Sequence, residues 1–531
     1  MAFEMFPFKA LVLLSRYILR RLRNPRSLYR KVSSNSHSSG QFKLQKYPSL
    51  NQRSSEFTNK TLVFDVENTL LKSTSLFSYF MLVAFEAGGI FRALFLLLLY
   101  PFICFVNEEM GVKMMVMVCF FGIKKDSFRV GRAVLPKFFL EDVGFEGFEV
   151  LMKGSVRVGV SVLPRVMVES FLKDYLEIEF VVGRELKVCK GYYVGLMEEK
   201  DDGLALEEII GEKRMDQCFD VVGVKCLNKP LNHDHLFSHC KDIYTVSEAE
   251  RRNWHDLPKE FYPKPLIFHD GRLAIRPTPF AIFAVFMWVP FATIFAIFRI
   301  FIALTLPYKI STSILAFSGL RLRVKKPNTP ISTTNGLLYV CNHRTLLDPL
   351  YLSTALGRPL TAVTYSLSRM SEIIAPIKTV RLTRDRQQDS NIMEKMLSQG
   401  DLVVCPEGTT CREPYLLRFS PLFAEMKAEV VPVAMDAHVS MFHGTTASGL
   451  KCLDPLFFLM NPFPSYNVEV LNKLSRSSTC RDDGVSSLDV ANQVQKDLGD
   501  ALGFECTKLT RKDKYLILAG NEGIVKNGHK S

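Results

Sequence analysis

The apolar stretch at residues 279–309 is the feature that most constrains how this chain can fold. Arg299 is its only charged residue before the closing Tyr308-Lys309 pair. About 20 apolar residues cross the hydrocarbon core as a helix, so we expect a transmembrane or membrane-embedded segment with Tyr308 and Lys309 at the interface. Two alternatives remain open: a buried helix of the following domain, or two half-helices that enter and return on one face around Pro290.

The size and charge of the chain limit its class. A chain of 531 residues is expected to form two or three domains. The net charge of +13 favours a membrane surface or an anionic substrate, and no nucleic-acid-binding module is recognisable. The twelve cysteines contain no C-x-x-C pair, which argues against structural zinc and against a disulfide framework and favours domains that face a reducing compartment.

The N-terminal region, residues 1–58, is basic. It contains no acidic residue between positions 5 and 55, its apolar side chains at residues 11–22 have helical spacing, and residues 33–40 form a Ser-rich linker. A basic amphipathic helix without acids is typical of an interfacial membrane anchor and also of a mitochondrial presequence. Both interpretations remain open.

An apolar strand at residues 61–64 leads into Asp65, and this stretch resembles the first motif of the haloacid-dehalogenase phosphatases, D-x-D-G-T. The resemblance makes Asp65 the counterpart of the phospho-accepting nucleophile. Glu67 replaces the family's general acid, Asn68 replaces its glycine, and Ser161 ends a second strand as in the second motif.

The last motif of that family supplies metal-binding carboxylates as G-D-x-x-x-D, and its best match here is residues 223–228. Val224 and Asn228 stand where the two acids belong, so a magnesium ion would have too few ligands for phosphoryl transfer. We therefore expect an inactive haloacid-dehalogenase-like domain at residues 59–247. Its apolar insertion, residues 77–123, is either a membrane-dipping hairpin or a set of buried cap helices.

A charged connector, residues 248–278, precedes the membrane segment, and residues 310–531 follow it. In this last region strands alternate with helical or turn-rich stretches, which predicts an α/β domain with a mainly parallel sheet. Four clusters of special residues lie at its strands. We expect a ligand there, because such sheets bind ligands at the carboxyl ends of their strands.

The first cluster is His343 with Asp348. A histidine in the loop after a strand, with a carboxylate in the first turn of the next helix, is suited to general-base chemistry. The alternative is an ordinary loop histidine and a capping aspartate.

The other clusters follow in order. Arg384 and Arg386 belong to a run of three arginines whose forks match phosphate oxygens, unless the run is simply a solvated turn. Residues 405–410 deliver Pro-Glu-Gly to a tight turn with polar contacts for hydroxyl groups, or form an ordinary turn. Residues 430–434 are a Val-Pro strand that would shape the floor of the pocket.

In this order and spacing, N-H-x-x-x-x-D, a strand-end arginine, P-E-G-T and V-P resemble the glycerolipid acyltransferase family. Joined to a degraded phosphatase-like half, they resemble the land-plant membrane-bound glycerol-3-phosphate acyltransferases, whose known regiochemistry is sn-2. The resemblance covers roughly residues 61–525.

The resemblance implies that His343 is the general base for a glycerol hydroxyl, that Asp348 orients it, and that the hydroxyl attacks the acyl thioester directly. It implies that Arg384 binds the phosphate. The other implied substrate-binding residues are Arg386, Arg412, Glu407, Gly408 and Thr409.

The implied reaction joins glycerol 3-phosphate to an acyl group from acyl-CoA, in an apolar tunnel near the membrane segment, without a cofactor or metal. Because the phosphatase acids are missing, the implied product is lysophosphatidic acid. An acyltransferase that uses lysophosphatidic acid or another lysophospholipid is the alternative, and a phosphatase is a weaker one. We expect a membrane location in the endoplasmic reticulum, with the mitochondrial membrane as the alternative.

Overall fold

A computed structural model describes residues 57, 60–198, 221–226, 237, 240–327, 336–365, 372, 375–426, 428–474 and 486–521 of the chain. All of them belong to Pro48–Ser531, the second of the two units into which the chain divides. The predicted N-terminal helix, the Ser-rich linker and Asn228 lie outside the described residues.

A five-stranded parallel sheet lies at the centre of the first half. Its spatial order is β3-β2-β1-β6-β7. Its strands are β1 (Thr61–Asp65), β2 (Val156–Ser161), β3 (Phe180–Gly183), β6 (Val221–Cys226) and β7 (Asp242–Val246). A separate antiparallel pair consists of β4 (Leu186–Cys189) and β5 (Tyr192–Met197). The Val-rich strands β1 and β2 are buried almost throughout, as expected for parallel strands covered by helices on both faces.

Helices surround this sheet. They are α1 (Val66–Thr69), α2 (Phe77–Gly88), α3 (Ile90–Ile103), α4 (Glu108–Phe120), α5 (Val130–Ala133), α6 (Leu135–Leu140), α7 (Phe145–Leu151), α8 (Arg165–Ser170) and α9 (Glu248–Arg252). The predicted apolar insertion consists of α2, α3 and α4. Helix α2 is buried over most of its length, whereas α3 exposes large apolar side chains, among them Phe91, Phe95 and Leu98. The insertion therefore contains one core helix and one helix with an exposed apolar face.

The apolar stretch forms one continuous helix, α10 (Pro279–Thr305), followed by α11 (Tyr308–Phe317). Helix α10 passes through Pro290 without a break, so the alternative of two half-helices is not what the structure contains. Among the described residues it is the one helix long and apolar enough to span a bilayer, and only 22% of its most apolar window is buried. One face is fixed to the second half, where the buried Arg299 donates to the carbonyl oxygens of Leu459 and Asn461 at 2.6 and 2.7 Å.

A seven-stranded sheet organises the second half in the order β11-β10-β12-β9-β14-β15-β8. The strands are β8 (Arg321–Lys325), β9 (Leu338–Cys341), β10 (Thr361–Thr364), β11 (Lys378–Arg381), β12 (Leu402–Val404), β14 (Val430–His438) and β15 (Ser465–Val470). Only the β14–β15 pair is antiparallel. The predicted mainly parallel sheet is confirmed.

The remaining elements cover this sheet. They are α12 (Asp348–Leu356), α13 (Arg386–Leu397), α14 (Asp454–Leu459), α15 (Ser487–Leu502), α16 (Arg511–Ala519) and the short pair β13 (Tyr415–Leu416) and β16 (Glu505–Cys506). Helix α15 buries Val494 and Leu498 against the sheet, in a core that includes Leu338 of β9 and Leu402 of β12. Burying each such side chain contributes about 1.5–3 kcal/mol. This core fixes the central strands whose carboxyl ends carry the polar clusters.

Candidate active site

His343 and Asp348 meet at the carboxyl end of β9. The strand ends at Cys341, the chain turns, and Asp348 begins α12 ahead of a proline that suits the first helical turn. The Nδ1 atom of His343 lies 2.8 Å from Oδ2 of Asp348. This hydrogen bond leaves Nε2 as the ring nitrogen that can exchange a proton with a ligand.

Asp348 is held by several other donors. Its carboxylate accepts hydrogen bonds from the backbone N–H groups of Arg344 at 2.7 Å and Thr345 at 3.0 Å, and from the hydroxyl of Tyr466 at 2.8 Å. The Asp348 side chain is fully buried, whereas 16% of the His343 side chain is exposed. The carboxylate is therefore fixed, and the ring that it orients reaches the surface.

The surroundings of His343 change its proton affinity. Burial by itself lowers the pKa of His343, but contact with Cys405 and the hydrogen bond to Asp348 outweigh it and raise the pKa well above its ordinary value. An imidazolium next to a fixed carboxylate is stabilised in the same way as in a catalytic base-and-orienter pair.

Glu407 contacts the backbone of the site. Its two carboxylate oxygens accept from the N–H of His343 at 2.7 Å and from the N–H of Leu417 at 3.0 Å. Burial raises the pKa of Glu407 to about 7. The two oxygens of Glu407 therefore tie the loop of His343 to the turn after β12, and the predicted contact of Glu407 with substrate stays a prediction.

Gly408 and Thr409 form the turn that follows. Gly408 has φ +66°, in the left-handed region that favours glycine, and a Cβ atom there would meet no atom of the described residues within 4 Å. The Oγ1 of Thr409 accepts from Nζ of Lys514, a buried lysine of α16, at 3.3 Å. Lys514 therefore holds the turn through Thr409, and the turn remains open at Gly408.

Arg384 lies in the loop that follows β11, and Arg386 begins α13, on the same edge of the sheet as His343. Three strand spacings separate β11 from β9, which corresponds to roughly 14 Å. Arg384 has φ +73°, an uncommon backbone conformation for a residue with a side chain, and its N–H donates to Asp389 at 3.0 Å. Arg386 is largely exposed and pairs with Glu425.

Arg412 lies apart from the other predicted site residues. Its guanidinium is buried and donates to Oγ1 of Thr445 and to the carbonyl oxygen of Gly271, both at 2.8 Å, and it lies 3.5 Å from Asp270. These contacts use the donors that a phosphate would need. Arg412 instead fixes the connector to the second half.

Several residues of the site were not predicted from sequence. Thr345 and Tyr466 hold Asp348, Lys514 supports the turn at Thr409, and Cys405 lies beside the His343–Asp348 pair. Cys405 is the one of these that a local signal, its place directly after β12, marks as part of a strand-end cluster. Its Sγ lies within 4.8 Å of ligand atoms of His343 and Asp348, and among the described residues these three side chains form a group that could hold a metal ion.

Comparisons with known proteins agree with both halves of this structure. Residues 61–246 match the family model "Glycerol-3-phosphate acyltransferase RAM2-like, HAD-like domain", and residues 322–436 match the acyltransferase family model. The chain is 58% identical to probable glycerol-3-phosphate acyltransferase 2 of Arabidopsis thaliana, over 92% of this chain and 95% of that protein.

Two further relatives extend the match. The chain is 56% identical to probable glycerol-3-phosphate acyltransferase 3 of Arabidopsis thaliana, over 98% of both chains. It is 44% identical to glycerol-3-phosphate acyltransferase RAM2 of Petunia hybrida, over 87% of this chain and 97% of that one. The chain belongs to the plant glycerol-3-phosphate acyltransferase family. It is an enzyme of the acyltransferase class, and the predicted family and fold class are confirmed.

In the phosphatase-like half, the polar groups of the site form hydrogen bonds with one another, and we call this a closed site. Asp65 accepts from the backbone N–H of Asn68 at 3.0 Å and from its side-chain amide at 2.8 Å. Glu67 accepts from the hydroxyl of Ser161, and burial together with the nearby Asp65 raises the pKa of Glu67 to about 7. The fully buried Arg251 donates to the carbonyl oxygen of Glu67 at 2.9 Å, so a guanidinium supplies the positive charge at this strand end.

Proposed function

We propose that this acyltransferase transfers an acyl group from acyl-CoA to glycerol 3-phosphate, at the sn-2 hydroxyl, and releases lysophosphatidic acid. The observation that carries the proposal is the 2.8 Å hydrogen bond between partly exposed His343 and fully buried Asp348. The names of the relatives, which are glycerol-3-phosphate acyltransferases, support the acceptor, and the family resemblance supports the regiochemistry.

His343 acts as the general base. Its Nε2 takes the proton of the glycerol hydroxyl while the hydroxyl oxygen attacks the thioester carbonyl carbon. The C–S bond then breaks, and the proton passes from His343 to the leaving CoA thiolate. Asp348 keeps Nδ1 protonated and stabilises the imidazolium as it forms, and Glu407 holds the His343 backbone in place.

The acceptor phosphate binds at the Arg384 end of the sheet edge, with Arg386 beside it. The strands that precede Arg384 and His343 lie roughly 14 Å apart. This separation leaves room for the two extended side chains and for a three-carbon substrate between them. Gly408 allows the glycerol backbone to approach the main chain closely, and Thr409 lies in the same turn.

The acyl chain occupies the cavity between the two halves, which has a volume of about 740 Å³. Val289 of α10, Phe457 and Met460 form part of its apolar wall, and Asp270 lies at its polar side. Asp270 contacts Arg412, whose neighbour Cys411 donates its N–H to the carbonyl oxygen of His343 at 2.9 Å. Arg412 and Cys411 thus connect the wall of the cavity to the loop of the base.

The protein binds a bilayer through the exposed apolar faces of α3 and α10. Phe91 of α3 and Phe280 of α10 are 85% and 82% exposed, which is costly in water. A basic net charge of +13 adds attraction to anionic headgroups. We propose the endoplasmic reticulum membrane as the site, with the mitochondrial membrane as the alternative that imaging of a tagged chain with and without residues 1–55 distinguishes.

The deciding experiment is an acyl-transfer assay with membranes that contain the protein, glycerol 3-phosphate and a panel of acyl-CoAs, followed by determination of the acyl position. We expect 2-acyl lysophosphatidic acid to form and lysophosphatidic acid to be a poor acceptor in a parallel reaction. Faster transfer to lysophosphatidic acid would favour the alternative acceptor. Phosphate release that requires magnesium and is lost in Asp65→Asn would instead support a phosphatase.

A further inference from the structure

A thiol lies against the His343–Asp348 pair and has no part in the proposed acyl transfer. The Sγ of Cys405, a ring nitrogen of His343 and a carboxylate oxygen of Asp348 all lie within 4.8 Å of one another. Asp348 is buried, whereas Cys405 and His343 are only partly buried. A small ion can therefore reach two of the three side chains from solvent.

We propose that Cys405, His343 and Asp348 form an inhibitory binding site for a zinc-class divalent ion, Zn²⁺ or Cd²⁺. Thiolate, imidazole and carboxylate are zinc ligands in proteins, with bond lengths of about 2.0–2.3 Å. Ligand atoms around a tetrahedral ion of this kind lie roughly 3.3–3.8 Å apart. Three atoms that already lie within 4.8 Å of one another need only small side-chain shifts to reach that spacing.

The charge balance of such a site is favourable. The ion displaces the proton of the Cys405 thiol, which goes to solvent, and the proton that Nδ1 of His343 shares with Asp348 moves through solvent to Nε2, so the imidazole stays neutral. One thiolate and one carboxylate then neutralise the divalent ion, so no unpaired charge is left beside the buried Asp348. Mg²⁺ and Ca²⁺ prefer oxygen ligands, and we expect neither to bind here.

Inhibition follows from the tautomer of the histidine, and it therefore rests on the proposed function. The nitrogen that faces Asp348 is Nδ1. A neutral imidazole with a metal ion on Nδ1 carries its remaining proton on Nε2 and has no lone pair to accept the proton of the substrate. An ion at this site replaces the orienting hydrogen bond and removes the base in one step.

The activity test compares full-length wild-type protein with Cys405→Ala across a series of Zn²⁺ concentrations. The matched control is Cys452→Ser, because Cys452 is exposed in the Lys451–Leu453 turn. A phosphine reductant keeps the thiols of Cys341 and Cys405, 3.4 Å apart, from forming a disulfide.

We expect Zn²⁺ to inhibit the wild type and Cys452→Ser alike, with recovery after chelation and no inhibition by Mg²⁺. In Cys405→Ala the half-inhibitory concentration should rise at least about tenfold, because one ligand is lost. Equal sensitivity of Cys405→Ala and the wild type overturns the proposal.

A second measurement does not require turnover and decides the case if Cys405→Ala is inactive. Cd²⁺ is titrated into each protein, and the ultraviolet thiolate-to-cadmium band is recorded. We expect the wild type to show a band that Cys405→Ala and His343→Ala weaken and Cys452→Ser retains, and identical bands overturn the ion site. Binding through Cys405 with undiminished acyl transfer would contradict His343 as the base, whereas absent binding overturns the ion site alone.

Discussion

Each half of the molecule places a buried aspartate at the carboxyl end of a central parallel strand, yet the two aspartates have different partners. In the first half, both oxygens of Asp65 bind Asn68, three residues away. In the second half, Asp348 binds backbone N–H groups, Tyr466 and a ring nitrogen of His343. Asp65 is fixed by its own helix, whereas Asp348 fixes a second side chain that reaches the surface.

The positively charged side chains of the two sites differ in their exposure to solvent. Arg251 is fully buried and donates to the carbonyl oxygen of Glu67, so its charge is shielded from solvent. Arg386, which begins α13 beside the second sheet, pairs with Glu425 and keeps 67% of its side chain exposed. A strand end acts on a ligand only where some of its polar groups remain available to solvent.

Asp348→Asn should have the largest effect. An amide cannot accept all the hydrogen bonds that the carboxylate accepts, and it no longer stabilises the imidazolium, so we expect kcat/KM to fall by about 10²–10⁴-fold. Initial rates with glycerol 3-phosphate measure this at equal protein level, and the thermal midpoint is recorded alongside. Activity within threefold of wild type at saturating substrate is incompatible with the role of Asp348.

Arg251→Leu should lower the free energy of unfolding and leave the rate of acyl transfer unchanged. Removal of the buried guanidinium leaves the carbonyl oxygen of Glu67 without this donor, and we expect a loss of about 2–3 kcal/mol in the free energy of unfolding. Thermal unfolding in detergent measures it. Arg252→Leu is the matched control, because Arg252 is 51% exposed and should tolerate the change. Equal thermal midpoints in Arg251→Leu and Arg252→Leu would contradict the closed site in the phosphatase-like half.

Glu407→Gln should lower acyl transfer by about tenfold, in keeping with the loss of about one hydrogen bond. The carboxylate accepts two backbone N–H groups, and an amide directs its own N–H₂ at one of them. Glu429→Gln, on the partly exposed pair with Lys473, is the control. A larger loss in the control than at Glu407 would show that the effect is not local.

The pH profile gives the smallest of these effects. His343 must be neutral to act as a base, and its pKa is raised above 6.5 by Cys405 and Asp348 against the effect of burial. Activity should therefore rise with pH, and the acidic limb of kcat/KM should have its midpoint above 6.5. In Asp348→Asn the midpoint should move to lower pH, because the negative charge is lost. If the acidic limb of Asp348→Asn has the same midpoint as that of the wild type, the His343–Asp348 pair is not the group that titrates.

The features that could be predicted from the sequence are those determined by residues that lie close together in the chain. The His343–Asp348 contact follows from a strand, a turn and a helix start within about ten residues, and the structure brings the two side chains together. The strand-end positions of Arg384 and Gly408 follow from the same alternation of strands and turns.

The missed parts depend on distant contacts. Tyr466 reaches Asp348 across 118 residues, and Arg251 reaches Glu67 across 184. The contacts of Arg412 could not be predicted for the same reason, because Gly271 and Asp270 of the connector fold back over it. Sequence patterns mark where a strand ends, and tertiary packing decides which of its polar groups stay accessible.

The most direct test of the comparison between the two halves measures His343→Ala and Asp65→Asn side by side. Both variants are assayed for acyl transfer to glycerol 3-phosphate and for phosphate release, at equal protein level. We predict that His343→Ala abolishes acyl transfer, that Asp65→Asn retains it, and that neither variant differs from the wild type in phosphate release. Acyl transfer that survives in His343→Ala, or that depends on Asp65, would contradict a single active site at the end of β9.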